Sequence, residues 1–307
     1  MGTSGHNHHE VEHGCTCACI VPVLILVAIS LMMALLYRRS QMCRYYIRMA
    51  FYYLCVFMAG FVSIFGAMFT YFVTAGATPA FASLRAIGSL WLDVDVEVRG
   101  DEKISAASGP EQTPLLLISN HQSSLDLYMI SHFWPAKCAA MMKSSLKYVP
   151  FFNLSAFLCN SIFVNRYNKE NARKAVIESV NILQKRKLKI YLFPEGTRHH
   201  DHGMLPFKKG AFNIAIQAQI DIVPIVISGY KHFYSKNDKY FHSNGKVIVQ
   251  VMDPVSTKGL TTDDVTDLCE RVRNQMLTVY ETVTAEAEKK YQAAMDHYEK
   301  SSDKKTN

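Results

Sequence analysis

Four short stretches carry the side chains able to do chemistry, and each follows an apolar run. In NHQSSLD, Asn120 to Asp126, a histidine and an aspartate stand five apart directly after PLLLIS. Imidazole exchanges a proton near neutral pH, and a carboxylate beside it fixes its tautomer and stabilises the imidazolium. His121 then reads as a general base and Asp126 as its orienting partner. The stretch reads equally as a helix start, with Ser123 or Ser124 as N-cap. In FPEGTR, a glycine turn made of Glu195, Gly196, Thr197 and Arg198 exposes backbone N–H groups, and the guanidinium matches phosphate with two parallel hydrogen bonds. In PFKKGAF, Lys208 and Lys209 open a helix against its macrodipole, which a bound anion would offset. In FVNR, Arg166 sits just beyond a strand. A solvated turn, a tolerated surface pair and a solvated arginine are the plain alternatives for these three. Together the four fit proton abstraction from a hydroxyl on a phosphate-bearing substrate.

Such residues need strands to hold them, and the chain supplies strands alternating with helices. WLDVDVEVRG alternates apolar and polar residues, the period of a half-buried strand. DEKISAASGPEQTP is small and polar and reads as a surface loop. LLLIS, KCAAMM, SIFVNR, LKIYLF, DIVPIVIS and KVIVQVMD read as strands. SSLDLYMISHFW and KKGAFNIAIQAQ read as helices, and NKENARKAVIESVNILQKRK as an amphipathic helix with Ala172, Val176, Val180 and Leu183 on one face. The fold class expected is α/β: one domain with a mixed central sheet flanked by helices, the catalytic domain spanning 91–285. From about Thr262 the chain reads as a helical tail that becomes strongly polar from Glu286, the polar C-terminal tail being 286–307.

The apolar excess lies in front of that domain. Apolar residues make up 49% of the 307-residue chain, and Ile20 to Tyr37 and Met49 to Leu84 contain no charge. About 20 apolar residues cross a bilayer. Residues 20–37 therefore read as a transmembrane anchor, retained because no Lys or Arg precedes it as a signal peptide would require. Residues 38–90 read as a basic loop and a membrane-embedded helical hairpin, broken by Gly76 and Pro79. A net charge of +7 suits anionic headgroups or substrates. No basic cluster interleaved with aromatics marks a nucleic-acid module, and no obligate protein partner is evident. Eight scattered cysteines do not form a disulfide framework. The tail 1–19 is rich in His and Cys, and its match to H-E-x-x-H at His9 to His13 lacks the packed helix a zinc protease needs. Disorder, weak metal binding and acylation of Cys15, Cys17 or Cys19 are the readings open to it.

There is no G-x-S-x-G elbow, P-loop or G-x-G-x-x-G turn, which removes support from hydrolase, kinase and dehydrogenase readings. NHQSSLD, FVNR, FPEGTR and VPIVIS, in that order, resemble the four motifs of the glycerolipid acyltransferase family. MLPFKKGAFNIAIQAQIDIVPIV and the membrane region resemble more closely the eukaryotic 1-acylglycerol-3-phosphate acyltransferases of alpha/beta type. The resemblance covers about residues 40 to 280. Asn165, where relatives often carry Asp, is the mildest departure.

The resemblance implies acyl transfer from acyl-CoA to the sn-2 hydroxyl of lysophosphatidic acid, giving phosphatidic acid. No cofactor or metal is implied; acyl-CoA is a co-substrate, and the lipid bilayer and lysophosphatidic acid are the partners. His121 would deprotonate the hydroxyl and Asp126 orient it, while Glu195, Gly196, Thr197, Arg198 and Arg166 hold the phosphate. Lys208 and Lys209 are added on charge. Alternatives are glycerol 3-phosphate or another lysophospholipid as acceptor, a non-catalytic lipid-binding protein, and a metal hydrolase using His121 with His199 to His202. Arg38, Arg39, Arg44 and Arg48 place the loop between the apolar runs in the cytosol. Lys304 and Lys305 resemble an endoplasmic reticulum retrieval ending. The expectation is an endoplasmic reticulum membrane protein with a cytosolic catalytic domain, which a glycan on the Asn153 sequon would contradict.

Overall fold

The structure, a computed structural model, describes residues 12–70, 78–111, 113–148, 156, 161–164 and 169–306. Three helices come first: α1 (Glu12–Arg39), α2 (Gln41–Thr70) and α3 (Thr78–Ser89). The remainder alternates β1 (Val94–Arg99), α4 (Glu102–Ser108), β2 (Leu116–Ser119), α5 (Asp126–Ile130), β3 (Cys138–Lys143), β4 (Ile162–Val164), α6 (Lys169–Arg186), β5 (Lys189–Leu192), α7 (Gly210–Ala218) and β6 (Ile222–Ile227). It then runs through β7 (Tyr234–Ser235), β8 (Tyr240–Phe241) and β9 (Gly245–Val251) to α8 (Val265–Thr306).

A seven-stranded sheet in the order β1-β9-β6-β2-β5-β3-β4 forms the centre. Neighbours are parallel except β6 and β9, so the sheet is mixed. Strands covered on both faces need apolar residues at successive positions, and β2 shows how they divide. Leu115 and Leu117 join one core, with Val223, Ile225, Ile227, Val247 and Val249. Leu116 and Ile118 join the other, with Ile190, Phe212, Ala215, Val272 and Met276 of β5, α7 and α8. The first core is closed by α2 itself. Tyr45, Met49 and Tyr52 recur at helical spacing and are buried in it.

Helices α1 and α2 are each long and apolar enough to cross a membrane, over Ile20–Arg39 and Gln41–Phe65. The large apolar side chains from Ile20 to Leu36 are exposed, as are Phe51, Leu54, Phe57, Met58 and Phe65 on the outer face of α2. No basic loop separates the two helices: Ser40 alone interrupts them, and Arg44 closes the corner by donating to the carbonyls of Tyr37 (3.2 Å) and Arg38 (2.8 Å). Of the arginines that read as a loop, Arg38 and Arg39 end α1, Arg44 satisfies its terminal carbonyls and Arg48 is buried within α2.

One further expectation is corrected. The stretch read as a surface loop holds α4, whose Ile104 and Ser108, one turn apart, are buried. Small residues there permit close packing rather than marking a loop. The helical tail expected from about Thr262 is α8, which the polar stretch from Glu286 continues, its first turn ion-paired to β1. Arg99 Nη1 donates to Glu286 Oε2 (2.8 Å) and Lys290 Nζ to Glu97 Oε2 (2.5 Å). Val176 and Val180 of α6 are half-buried and Leu183 fully buried, as the amphipathic pattern requires.

Candidate active site

Three adjacent parallel strands, β6, β2 and β5, bring their C-terminal ends side by side. Ligand sites in open α/β sheets form outside such carboxyl ends. The loops leaving them begin at Ser228, Asn120 and Phe193. Asn120 ties the first two: its Nδ2 donates to the Ile227 carbonyl (2.9 Å) and its Oδ1 accepts from the Ile227 N–H (2.8 Å). An asparagine amide thereby continues the ladder one position beyond β2. Gln122 Nε2 reinforces the tie at the Ile227 (3.1 Å) and Ser228 (3.0 Å) carbonyls.

His121 is held through its backbone by the third loop. Its N–H donates to Glu195 Oε1 (2.7 Å), and its carbonyl accepts from the His199 N–H (2.8 Å). Its ring stacks on Phe193 with centroids 3.8 Å apart and planes at 14°. Nδ1 lies 2.7 Å from Asp126 Oδ2. Among the described residues, none takes a hydrogen bond from Nε2. The ring is 18% exposed and the carboxylate 1%.

Asp126 does more than meet the histidine. Oδ2 also accepts from Gln122 N (2.8 Å) and Ser123 N (3.1 Å), and Oδ1 accepts from the Tyr230 hydroxyl (2.8 Å). One carboxylate thus meets the histidine and ties down the loop that carries it. Neither Ser123 nor Ser124 is the N-cap. Helix α5 starts after Leu125 without a side-chain cap, because the carboxylate already collects the loop N–H groups. Tyr230 is buried, and burial together with the negative Asp126 pushes its phenol well above the usual value, so it remains a donor. Its sequence setting, SGYKHF, carries no signal of this role; only the fold brings it to Asp126.

The FPEGTR turn splits by side chain. Glu195 is buried, and its two oxygens are occupied by the N–H groups of His121 and Leu205 (2.9 Å). Burial raises its pKa, and those two N–H groups oppose the rise. Gly196 has φ of +71°, a conformation that favours glycine, and the flexible end of Lys208 lies over it, Nζ being 2.7 Å from where a Cβ would stand. Thr197 and Arg198 are exposed beyond it. Lys208 reaches this turn, with its own N–H donating to the Pro194 carbonyl (2.8 Å). Lys209 does not: its Nζ donates to Thr266 Oγ1 of α8 (2.7 Å). Arg166 and Asn153 lie outside the described residues.

Beside the His121 loop a small cavity of about 60 Å³ is lined by residues including Gln122, His200, Lys231, Lys236 and Tyr280. The His199 to His202 side chains do not converge there on a shared centre. His200 Nε2 meets Lys236 Nζ (3.2 Å), Asp201 meets Asn237 Nδ2 (3.2 Å), and the His202 ring packs on Tyr280. Behind Phe193 and Pro194 lies a larger apolar cavity of about 230 Å³, bounded by Met141, Val164, Leu192 and Ile214 and reached by Lys208.

The mixed sheet and the loops at its carboxyl edge fall largely within residues 95–228, which the family model described as Acyltransferase matches. The Caenorhabditis elegans protein acl-2, a candidate 1-acyl-sn-glycerol-3-phosphate acyltransferase, is 43% identical over 83% of this chain and 89% of its own. The Mus musculus 1-acyl-sn-glycerol-3-phosphate acyltransferase alpha is 41% identical over 63% of this chain and 66% of its own. The crystal structure of PlsC from Thermotoga maritima, a 1-acyl-sn-glycerophosphate acyltransferase, superposes with a TM-score of 0.56 at 27% identity, covering 80% of this chain and 97% of that one. The chain belongs to the 1-acyl-sn-glycerol-3-phosphate acyltransferase family.

Proposed function

We propose that this protein transfers an acyl group from acyl-CoA to the sn-2 hydroxyl of 1-acyl-sn-glycerol 3-phosphate, with His121 as the base. The observation that carries the reading is the 2.7 Å contact of His121 Nδ1 with buried Asp126, which leaves Nε2 without a partner among the described residues at the carboxyl edge of the sheet. Asp126 holds the proton on Nδ1, so Nε2 presents its lone pair to the acceptor hydroxyl. As Nε2 takes that proton, the oxygen attacks the thioester carbonyl. The tetrahedral intermediate collapses by breaking the C–S bond, and the CoA thiolate recovers the proton from the imidazolium. A thiolate is a good leaving group, so direct attack needs no second nucleophile on the enzyme.

In this reading Gly196, Thr197, Arg198, Lys208 and Arg166 receive the acceptor phosphate. Glu195 takes a different part from the one its place in the motif implied. Its oxygens are spent on backbone N–H groups, and a carboxylate would repel phosphate, so it braces the His121 loop against the turn. Lys209, turned toward Thr266, takes no part.

The exposed apolar surface of α1 and the outer face of α2 supports seating in a bilayer, which puts the site beside its lipid acceptor. In our reading α1 spans the endoplasmic reticulum membrane, α2 and α3 enter one leaflet, and the catalytic domain faces the cytosol. Asn153 free of glycan in cells is expected on this arrangement, and a glycan there would reverse it.

A panel of purified protein with oleoyl-CoA against lysophosphatidic acid, glycerol 3-phosphate and lysophosphatidylcholine tests the activity. Preference for lysophosphatidic acid is expected. Equal rates on all three would refute the acceptor assignment, and no release of CoA with any would refute the donor.

A further inference from the structure

The catalytic loop is also gripped from the membrane side, by a helix outside the segment 95–228 that the family model matches. Tyr52 lies within the apolar stretch Gln41–Phe65 of α2 and is fully buried in the core with Leu125, Tyr128 and Tyr230. Its hydroxyl donates to the backbone carbonyl of Ser124, inside the turn that joins His121 to Asp126. Tyr53 Oη meets Ser124 Oγ at 3.2 Å. Tyr45, two turns earlier, stacks on Tyr234.

The register of α2 against the sheet is fixed by Arg48, a buried guanidinium. It donates to the Leu92 carbonyl (2.7 Å) and Ser243 Oγ (3.0 Å), and its Cζ lies 4.6 Å from the centre of the Phe241 ring. A charge on an apolar helix is costly unless bonded, so this face of α2 is built to meet protein while its outer face is built to meet lipid.

We propose that Tyr52 is a positioning residue for the His121–Asp126 pair, which makes the apolar helix α2 part of the active site. The turn 121–126 is pinned at Asn120 and at Asp126, and the Ser124 carbonyl is its midpoint. Without the Tyr52 hydroxyl that carbonyl keeps only the Leu127 N–H, at 3.3 Å, so the turn is freer to rotate, and with it the direction in which Nε2 points. Turnover then depends on α2 remaining seated on the domain, which couples the chemistry to the bilayer holding the helix. The inference rests on His121 being the base.

The test uses full-length protein in lipid nanodiscs. Tyr52→Phe removes one hydroxyl and keeps the ring in the core. Its kcat is expected to fall about tenfold, as for a catalytic group displaced by a fraction of an ångström. KM for lysophosphatidic acid should stay within about twofold, and the acidic limb of the kcat/KM–pH profile should shift because the His121–Asp126 contact has changed. A merely structural role would lower the melting temperature and scale the profile without moving the limb. Tyr46→Phe, on the exposed side of α2, should match wild type. Wild-type kcat and limb in Tyr52→Phe overturn the positioning role and leave the base intact. A His121→Ala protein that still turns over overturns both. If Tyr52→Phe does not fold, 3,5-difluorotyrosine at 52 keeps the shape and changes the donor acidity; an unchanged kcat in that protein also overturns the proposal.

Discussion

Replacing Asp126 by Asn is the sharpest test of the pair, and the structure says why Asn rather than Ala. The carboxylate accepts from Gln122 N, Ser123 N and the Tyr230 hydroxyl as well as facing His121. Alanine would strand those three buried donors at about 1–3 kcal/mol each. That is comparable with the roughly 5–15 kcal/mol that holds a domain folded, so Ala would test folding. Asparagine keeps an oxygen, and the loop decides where it goes. Gln122 N–H (2.8 Å) faces Oδ2, and Ser123 N–H is shared between Oδ2 (3.1 Å) and Oδ1 (3.2 Å), so an amide oxygen at the Oδ2 position keeps both N–H groups and still accepts from His121 Nδ1. The NH2 then faces Tyr230, whose hydroxyl turns to accept.

The change therefore removes charge and leaves the contacts. In the transition state a carboxylate about 4 Å from the imidazolium contributes about 4 kcal/mol at an effective dielectric of ~20. At about 1.4 kcal/mol per decade, its loss lowers kcat roughly 10³-fold. Release of CoA thiol from oleoyl-CoA with lysophosphatidic acid measures turnover, and thermal unfolding in the same lipid measures stability. We expect the large loss in kcat with a melting temperature close to wild type. A kcat within about threefold of wild type, in folded protein, would refute the charge-stabilised base.

The remaining predictions concern the cations, the glutamate and pH. Arg198→Ala and Lys208→Ala should each raise KM for lysophosphatidic acid by about 10- to 100-fold, as charge-assisted phosphate contacts of roughly 1.5–3 kcal/mol imply. Lys209→Ala should change it less than twofold, because Lys209 is committed to Thr266; equal effects of all three would show a diffuse charge effect. Glu195→Ala frees two buried N–H groups and should cost about 2–6 kcal/mol of stability, read by denaturant unfolding, whereas a folded variant with only a raised KM would place the side chain on the phosphate. His232 is pushed below its usual pKa, first by burial, with its Nε2–H donating to the Lys246 carbonyl (2.8 Å). His132, His200 and His242 shift the same way for the same leading reason. Below about pH 6.5 the unfolded chain binds these protons before the folded one does. Stability should therefore be full above that pH and fall as pH drops through the lowered values, by at most about 1.4 kcal/mol per pH unit per group. His232→Gln keeps the donor to Lys246 and should flatten part of that slope; an unchanged slope would exclude His232 as a contributor.

What the sequence made legible follows the range over which each interaction acts. Strands β2, β5, β6 and β9 were readable because burial on both faces demands continuous apolar runs, and the two cores drawn from alternate residues of β2 are that demand met. His121 and Asp126 were readable because a five-residue turn can close within one loop. Glu195 was readable as a site residue but not in its part, since the motif does not reveal that its oxygens face backward to Leu205 and His121 rather than outward. Tyr230 and Tyr52 were not readable at all. They reach Asp126 and Ser124 from 104 and 72 residues away, and a tyrosine in an apolar setting has the same local pattern whether or not its hydroxyl finds a catalytic loop. The apolar composition of α2 was itself misleading in one respect. It reads as lipid-facing throughout, yet one stripe of it, from Tyr45 through Arg48 and Met49 to Tyr52, is core for the catalytic domain. Hydropathy averages around the helix and so hides the face that differs. The polar atoms on that face, Arg48 and the tyrosine hydroxyls, were the only local sign that α2 meets protein there and not lipid alone.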